Sequence, residues 1–293
     1  MLIDRTSVIH IVFSFVFASF LNACGQAKSE LAPELDNDQY HATITYTKYG
    51  VPHIKADDFS SLGFGVGYAK SRENLCTLAD QIIKIKSQRA KYFGAGENNI
   101  NLLSDVGYQG VNYIERAEVL YPTLGEKSRD MLEGYAAGYN KILVDLVSPD
   151  KYPSQCRGTN WVKKITAQEL LAYQLDIAAL SGSRNFLSAM AGSQSPQTQT
   201  KLVQNTLASD AASLLNMQRA VMTPSKGVGS NCWALGKDKV INASAALLAN
   251  PHFPWDGDLR FFQQQLTIPD KLNVMGGTFI SPCKRLKPPS LDG

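Results

Sequence analysis

A chain of 293 residues with 44% hydrophobic content and a formal charge of +3 carries enough apolar residues for one large core or two smaller ones, which excludes a disordered or collagen-like chain. Its 29 Lys plus Arg and 26 Asp plus Glu are interspersed without a basic block, which argues against a nucleic-acid partner. The five cysteines, Cys24, Cys76, Cys156, Cys232 and Cys283, match no metal-ligand spacing such as C-x-x-C, so neither a structural zinc nor another cofactor is expected.

The N-terminus carries Arg5 and an apolar stretch from Val8 to Leu21. That stretch is too short for a spanning helix and reads as a signal peptide over residues 1–23. The run Leu21-Asn22-Ala23-Cys24 resembles the lipobox at which bacterial lipoproteins are cleaved and acylated, although Asn22 is unusual there and Asp4 weakens the positive start. The expectation is an exported, periplasmic protein attached to the membrane through a lipidated Cys24, with plain export and a retained membrane anchor as alternatives. In an exported protein a cysteine pair forms a disulfide readily. Cys76 with Cys156 is the candidate pair because both fall in the same half, the alternative being two buried free thiols.

In chain order, His41 to Tyr46 alternates in polarity like an edge strand, and Gly50-Val51-Pro52 turns the chain. From Ala69 the period becomes helical through Leu75, Leu78, Ala79, Ile82 and Ile83, with Gly94 placed as a C-cap glycine. A second helix runs over Met131, Leu132, Tyr135, Ala136, Tyr139 and Leu143, and a third starts at the capping box Thr166-Ala167-Gln168-Glu169. From about Ser181 to Lys226 the composition shifts to Ser, Gln, Thr, Ala and Gly, with a short helical pattern near Leu214 to Met217; this reads as a spacer. Beyond it strands are predicted at Ser230 to Leu235, around Ala246 to Ala249, and at Phe261 to Ile268. The expected organisation is a leader 1–23, a helical part 24–190, a spacer 191–229, a strand-rich part 230–278 and a divergent tail 279–293.

Gly63-Phe64-Gly65-Val66-Gly67-Tyr68 has Tyr68 where the third glycine of a dinucleotide loop belongs, and no parallel strand precedes it. It reads as a close-packed glycine turn leading into the helix at Ala69. No H-E-x-x-H, Walker loop or G-x-S-x-G elbow is present. Beyond the leader only His41, His53 and His252 remain, which leaves little room for a Ser-His-Asp triad. A serine at a chain's own N-terminus has another base, its α-amine, with a reference pKa of about 7.7 to 8.0. To reach that position within a precursor, the hydroxyl must attack the preceding carbonyl, and a glycine there tolerates the strained backbone required. Gly227-Val228-Gly229-Ser230-Asn231, between spacer and strand, supplies these conditions. Taken alone, the bland reading of Ser230 is an exposed turn serine.

The surrounding residues change that balance. Gly229-Ser230-Asn231-Cys232-Trp233-Ala234-Leu235-Gly236, followed by Leu247-Leu248-Ala249-Asn250-Pro251-His252-Phe253, resembles the start of the β subunit in the penicillin acylase family of N-terminal-nucleophile hydrolases, most nearly its acyl-homoserine-lactone acylases. Gly50-Val51-Pro52-His53-Ile54, Gly65-Val66-Gly67-Tyr68-Ala69, Leu132 through Asn140, and Cys156-Arg157-Gly158 through Trp161 look like the family's α subunit. The likeness covers roughly Ala42 to Thr278.

That resemblance implies an α+β, four-layer αββα fold, helices outside two packed sheets, present here incompletely as the helical part and the first strands. It implies α and β parts cut from one precursor between Gly229 and Ser230, and hydrolysis of a linear amide in an N-acylated small molecule. Ser230 matches the nucleophile and His252 a histidine beside it, the alternative for His252 being a residue that shapes the Asn-Pro-His turn. Asn231 is expected to orient the first strand, with direct catalysis as the lesser reading. Trp233 and Phe253 are expected in the core, or else lining an acyl pocket, and His53 is expected to be structural within its turn. The family's oxyanion donors fall beyond this sequence. After Thr278 the run Ser281-Pro282-Cys283-Lys284-Arg285-Leu286-Lys287-Pro288-Pro289 leaves the family pattern and suggests a truncated precursor with a shifted reading frame. These 293 residues are therefore expected neither to cleave themselves efficiently nor to turn over substrate. The rivals are a catalytically incompetent lipoprotein remnant of the family and a periplasmic binding or scaffold protein.

Overall fold

The structure, a computed structural model, describes residues 35–36, 39–180, 182, 184 and 229–280. The leader with Cys24, nearly all of the spacer, the helical pattern near Leu214, and the tail with Cys283 lie outside the described residues.

Seven strands and six α-helices are described. They are β1 (Leu35–Asp36), β2 (His41–Tyr46), β3 (Pro52–Lys55), α1 (Phe59–Ile85), α2 (Arg89–Phe93), α3 (Ile100–Val111), α4 (Tyr113–Leu120), α5 (Glu126–Asp145), α6 (Ala167–Ala178), β4 (Gly229–Gly236), β5 (Ala245–His252), β6 (Phe262–Ile268) and β7 (Leu272–Thr278). Five strands form one sheet in the order β1-β2-β3-β6-β7, and β4 and β5 form a separate pair. Strand β2 turns into β3 through Gly50, at φ +79, and the two pair antiparallel with Ile44 opposite Ile54. Strand β6 then adds in parallel, Ile54 opposite Leu266. Residues from early and late in the chain therefore share one sheet.

Helix α1 lies under this sheet and against α5. Its N-cap Asp58 accepts a hydrogen bond from the Ser61 amide at 2.7 Å, satisfying one of the free donors of the first turn. The helix thus begins ten residues before the predicted start at Ala69, and Gly63, Gly65 and Gly67 are helical rather than a turn. The reason is packing. A Cβ on Gly63 would lie 2.5 Å from the Met131 carbonyl oxygen, one on Gly67 would strike the Tyr135 carbonyl, and Gly134 and Gly138 of α5 meet the α1 backbone equally closely. Four glycines at four-residue spacing let two backbones touch, and that packing outweighs glycine's poor helix propensity of about 1 kcal/mol per residue. Phe64, Leu62, Leu78, Tyr135, Tyr139 and Leu170 are wholly buried around this crossing.

Helix α1 ends at Lys86, and Gly94, at φ +69, terminates the short α2 instead. His53 sits on β3 opposite Thr45 and Gln265 rather than in a turn, because the sheet's new neighbour β6 extends the chain there. Thr166 and Glu169 form the predicted capping box of α6. Cys76 on α1 and Cys156 are joined in a disulfide, S–S 2.05 Å.

Candidate active site

Strands β4 and β5 pair over eight residues each, with Gly229 opposite His252, Ser230 opposite Pro251 and Asn231 opposite Asn250. Side chains alternate along a strand and directly opposed residues share a face. Asn231, Trp233, Leu248 and His252 therefore share one face, and Ser230, Cys232, Ala249 and Pro251 the other. His252 Nδ1 lies 3.7 Å from where a Cβ on Gly229 would stand. The register brings Ser230 and His252 within one residue along the ladder and sends their side chains to opposite faces. His252 stands beside the strand end that carries Ser230, on the opposite face of the ladder.

The Ser230 hydroxyl donates to the carbonyl oxygen of Gly229 at 2.5 Å. That carbonyl belongs to the bond whose cleavage would make Ser230 a chain terminus. A hydroxyl hydrogen-bonded to that carbonyl is in its immediate neighbourhood, and the hydrogen bond draws electron density from the carbonyl.

Every residue of β4 and β5 is exposed. Trp233 is 74% exposed, Leu247 69% and Leu248 66%. The expectation of a core position for Trp233 is thus corrected: among the described residues no second layer covers this pair, so its apolar face stays in solvent. Phe253, next to His252, is half-buried and packs with Phe261 and Phe279 at ring-centroid distances of 4.8 and 5.0 Å.

One cluster near the hairpin was missed from the sequence. Lys84 Nζ lies 2.9 Å from Asp176 and 3.6 Å from Asp258, and Arg184 lies 3.5 Å from Asp176 and 3.6 Å from Asp258. Tyr108 donates its hydroxyl to Asp176 at 2.8 Å. Burial pulls the Lys84 ammonium below the usual lysine range, opposed by the Asp176 carboxylate. Burial also raises Tyr108, and the Asp176 charge adds to it. The available signal was a charge inside an apolar stripe: Lys84 between Ile83 and Ile85, Asp176 beside Leu175. Among the described residues no group of three or more His, Cys, Asp or Glu is placed to hold a metal ion, and no helix is long and apolar enough to cross a membrane.

The penicillin amidase family profile matches residues 41–281. Acyl-homoserine lactone acylase PvdQ of Pseudomonas fluorescens (strain Pf0-1) is 38% identical over 242 residues, which is 81% of this chain and 30% of that protein. Aculeacin-A acylase of Actinoplanes utahensis is 34% identical over 248 residues, 82% of this chain and 31% of that protein. The chain thus spans about 30% of the length of the curated relatives it matches. Among solved structures, a thermostable penicillin G acylase from Alcaligenes faecalis aligns at 18% identity and a TM-score of 0.43, covering 63% of this chain and 93% of that one.

Proposed function

We propose, from the premise that the chain belongs to the penicillin amidase family of N-terminal-nucleophile, αββα hydrolases, that it carries the nucleophile of an acylase that cleaves the linear amide of an N-acylated small molecule. The observation that carries the proposal is the Ser230 hydroxyl hydrogen-bonded at 2.5 Å to the Gly229 carbonyl. In maturation the Ser230 oxygen adds to the Gly229 carbonyl carbon, the C–N bond breaks with the hydroxyl proton going to the new α-amine, and water hydrolyses the resulting ester. The freed amine, with a reference pKa of about 7.7 to 8.0, then takes the hydroxyl proton as Ser230 attacks the substrate's acyl carbonyl. The amine product leaves, and water releases the acid from the acyl-enzyme. His252 and Asn231 hold the strand end against Gly229 and take no proton in this scheme.

The substrate is an acyl amide such as an acyl-homoserine lactone, with a penicillin-type side chain as the other candidate. The relatives' printed names support this order. The protein acts in the periplasm with Cys24 as a lipidated N-terminus, and residues before and after Gly229 become the α and β parts of one precursor. These 293 residues alone turn over little substrate, because among the described residues the β4–β5 pair that carries Ser230 is exposed throughout and gives the reacting groups no rigid, water-excluding frame. The same exposure favours a second reading, a catalytically incompetent remnant. Release of acid from a fatty-acyl amide and a phenylacetyl amide, assayed in Ser230→Ala beside the parent in the whole protein, separates the two. Turnover lost in Ser230→Ala supports the acylase, and absence of turnover in the parent supports the remnant.

A further inference from the structure

The β4–β5 pair is exposed along its whole length, and the described chain that leaves it is what ties Ser230's hairpin to the body. That chain is short. Phe253 follows His252, and the chain re-enters the body at Asp258, Leu259 and Arg260, where Leu259 is 6% exposed. Between them Trp255, at 90% exposed, Asp256 and Gly257, at φ +83, form the outer part of a loop. Phe253 packs on Phe261 and Phe279, which closes the loop at its neck. Phe279 is fixed in turn, since Lys70 Nζ donates to its carbonyl at 2.8 Å and Tyr135 donates to the next carbonyl, Ile280, at 2.7 Å.

At its inner end the loop hooks into α1 at two points ten residues apart. Asp258 enters the buried cluster, 3.6 Å from both Lys84 and Arg184. Arg260 donates to Asn74 Oδ1, and Asn74 is where α1 leaves helical geometry, at φ −135. The Asn74 amide also donates to the Lys70 carbonyl at 3.0 Å, so one side chain bridges the kink and receives the loop. The cluster balances two cations, Lys84 and Arg184, with two anions, Asp176 and Asp258. Deleting Asp258 leaves Lys84, with a side chain only 5% exposed, and Arg184 facing a single carboxylate, and an uncompensated buried charge is costly.

We propose that Asp258 and Arg260 are positioning residues for the nucleophile: the 254–260 loop is a hook that tethers the Ser230 hairpin to helix α1, reading the Lys84–Arg184 pair at one point and the Asn74 kink at the other. This rests on the reading of Ser230 as nucleophile for its catalytic consequence, and on geometry alone for the seating. The hook joins the two sides of the Gly229–Ser230 bond, because Asp258 follows it while Lys84, Arg184 and Asn74 precede it. Hairpin placement therefore survives cleavage.

The test measures seating and chemistry separately. With Cys24, Cys232 and Cys283 replaced by serine, spin labels at Leu248→Cys on β5 and Val119→Cys on α4, both exposed, report the hairpin-to-body distance. The parent is expected to give one narrow distribution that Asp258→Asn and Arg260→Gln each lose and Asp258→Glu restores, while circular dichroism shows the helices still folded. In the unlabelled whole protein the same two variants are expected to slow Ser230-dependent cleavage and lower kcat by ~10- to 100-fold, the scale for a displaced reacting group, with KM little changed. A narrow distance that persists in both variants, or a loss that Asp258→Glu does not reverse, overturns the proposal. A parent that shows the narrow distance yet never cuts at Ser230 overturns the reading of Ser230 and leaves the seating standing.

Discussion

Strand β6 and the β4–β5 pair come from the same stretch of chain and behave oppositely. In β6, Gln264, Leu266 and Ile268 are buried on alternate positions because the strand lies between β3 and β7 and over α1. In β4 and β5 sixteen paired residues are exposed without exception. Ladder hydrogen bonds set register in both, but burial requires a second layer, and only β6 has one. The pair that carries Ser230 therefore owes its shape to local pairing. An exposed apolar face of this kind, with Trp233 and Leu248 together, marks a contact surface or an aggregation hazard.

Mutations should divide along that line. The largest effect belongs to the body. Phe64→Ala, at a wholly buried side chain, is expected to cost about 3 to 5 kcal/mol, read as a large drop in the urea midpoint. Next, reducing the Cys76–Cys156 bridge, whose cysteines are 80 residues apart, should remove about 4 kcal/mol on the chain-entropy model. A thermal midpoint unmoved by reductant would mean that the body does not depend on this link. Alkali provides a third, smaller contrast, since all 12 tyrosines lie between Tyr40 and Tyr173 and none in the hairpin. Burial, with the Asp145 charge adding to it, pushes Tyr68 up to about 12, and burial also raises Tyr139 and Tyr173. A phenol whose folded pKa exceeds its unfolded value of ~10 contributes stability that is complete below pH ~10 and is lost as pH rises toward 12. The body should accordingly melt at progressively lower temperature from pH 10 to 12, in step with tyrosinate absorbance. Smallest of all, Trp233→Ser on the exposed face should shift stability by no more than ~0.5 kcal/mol while improving solubility. A loss as large as that of Phe64→Ala would mean that the hairpin is covered.

The sequence was most legible where one local rule decided the outcome. The span of strand β2 and the Thr166–Glu169 capping box lie where polarity and capping put them, although β2 is not the edge strand its alternation suggested, because β1 pairs along its outer side. Legibility failed where a distant partner decided. The glycines of α1 read as a turn until α5 is laid against them, and α3 and α4 were hidden by asparagines at their junction, Asn112 being both the C-cap of one and the N-cap of the other. Lys84, Asp176 and Asp258 are far apart in sequence and become a cluster only through tertiary packing. Trp233 was expected inside because it is large and apolar, yet composition does not say what will cover a strand. At the candidate site, the Gly229–Ser230 pair was singled out from its chemistry, whereas the opposite facing of Ser230 and His252 depends on the ladder register.

The central claim is that Ser230 cuts the bond before it and then works from the new terminus. Its most direct test is N-terminal mass spectrometry of the polypeptides purified from cells that make the protein, parent and Ser230→Ala side by side. The account predicts a parent polypeptide that begins at Ser230 with a free α-amine, and a Ser230→Ala chain continuous across Gly229 and residue 230. A parent intact across that bond, or the same fragment appearing in Ser230→Ala, would contradict it.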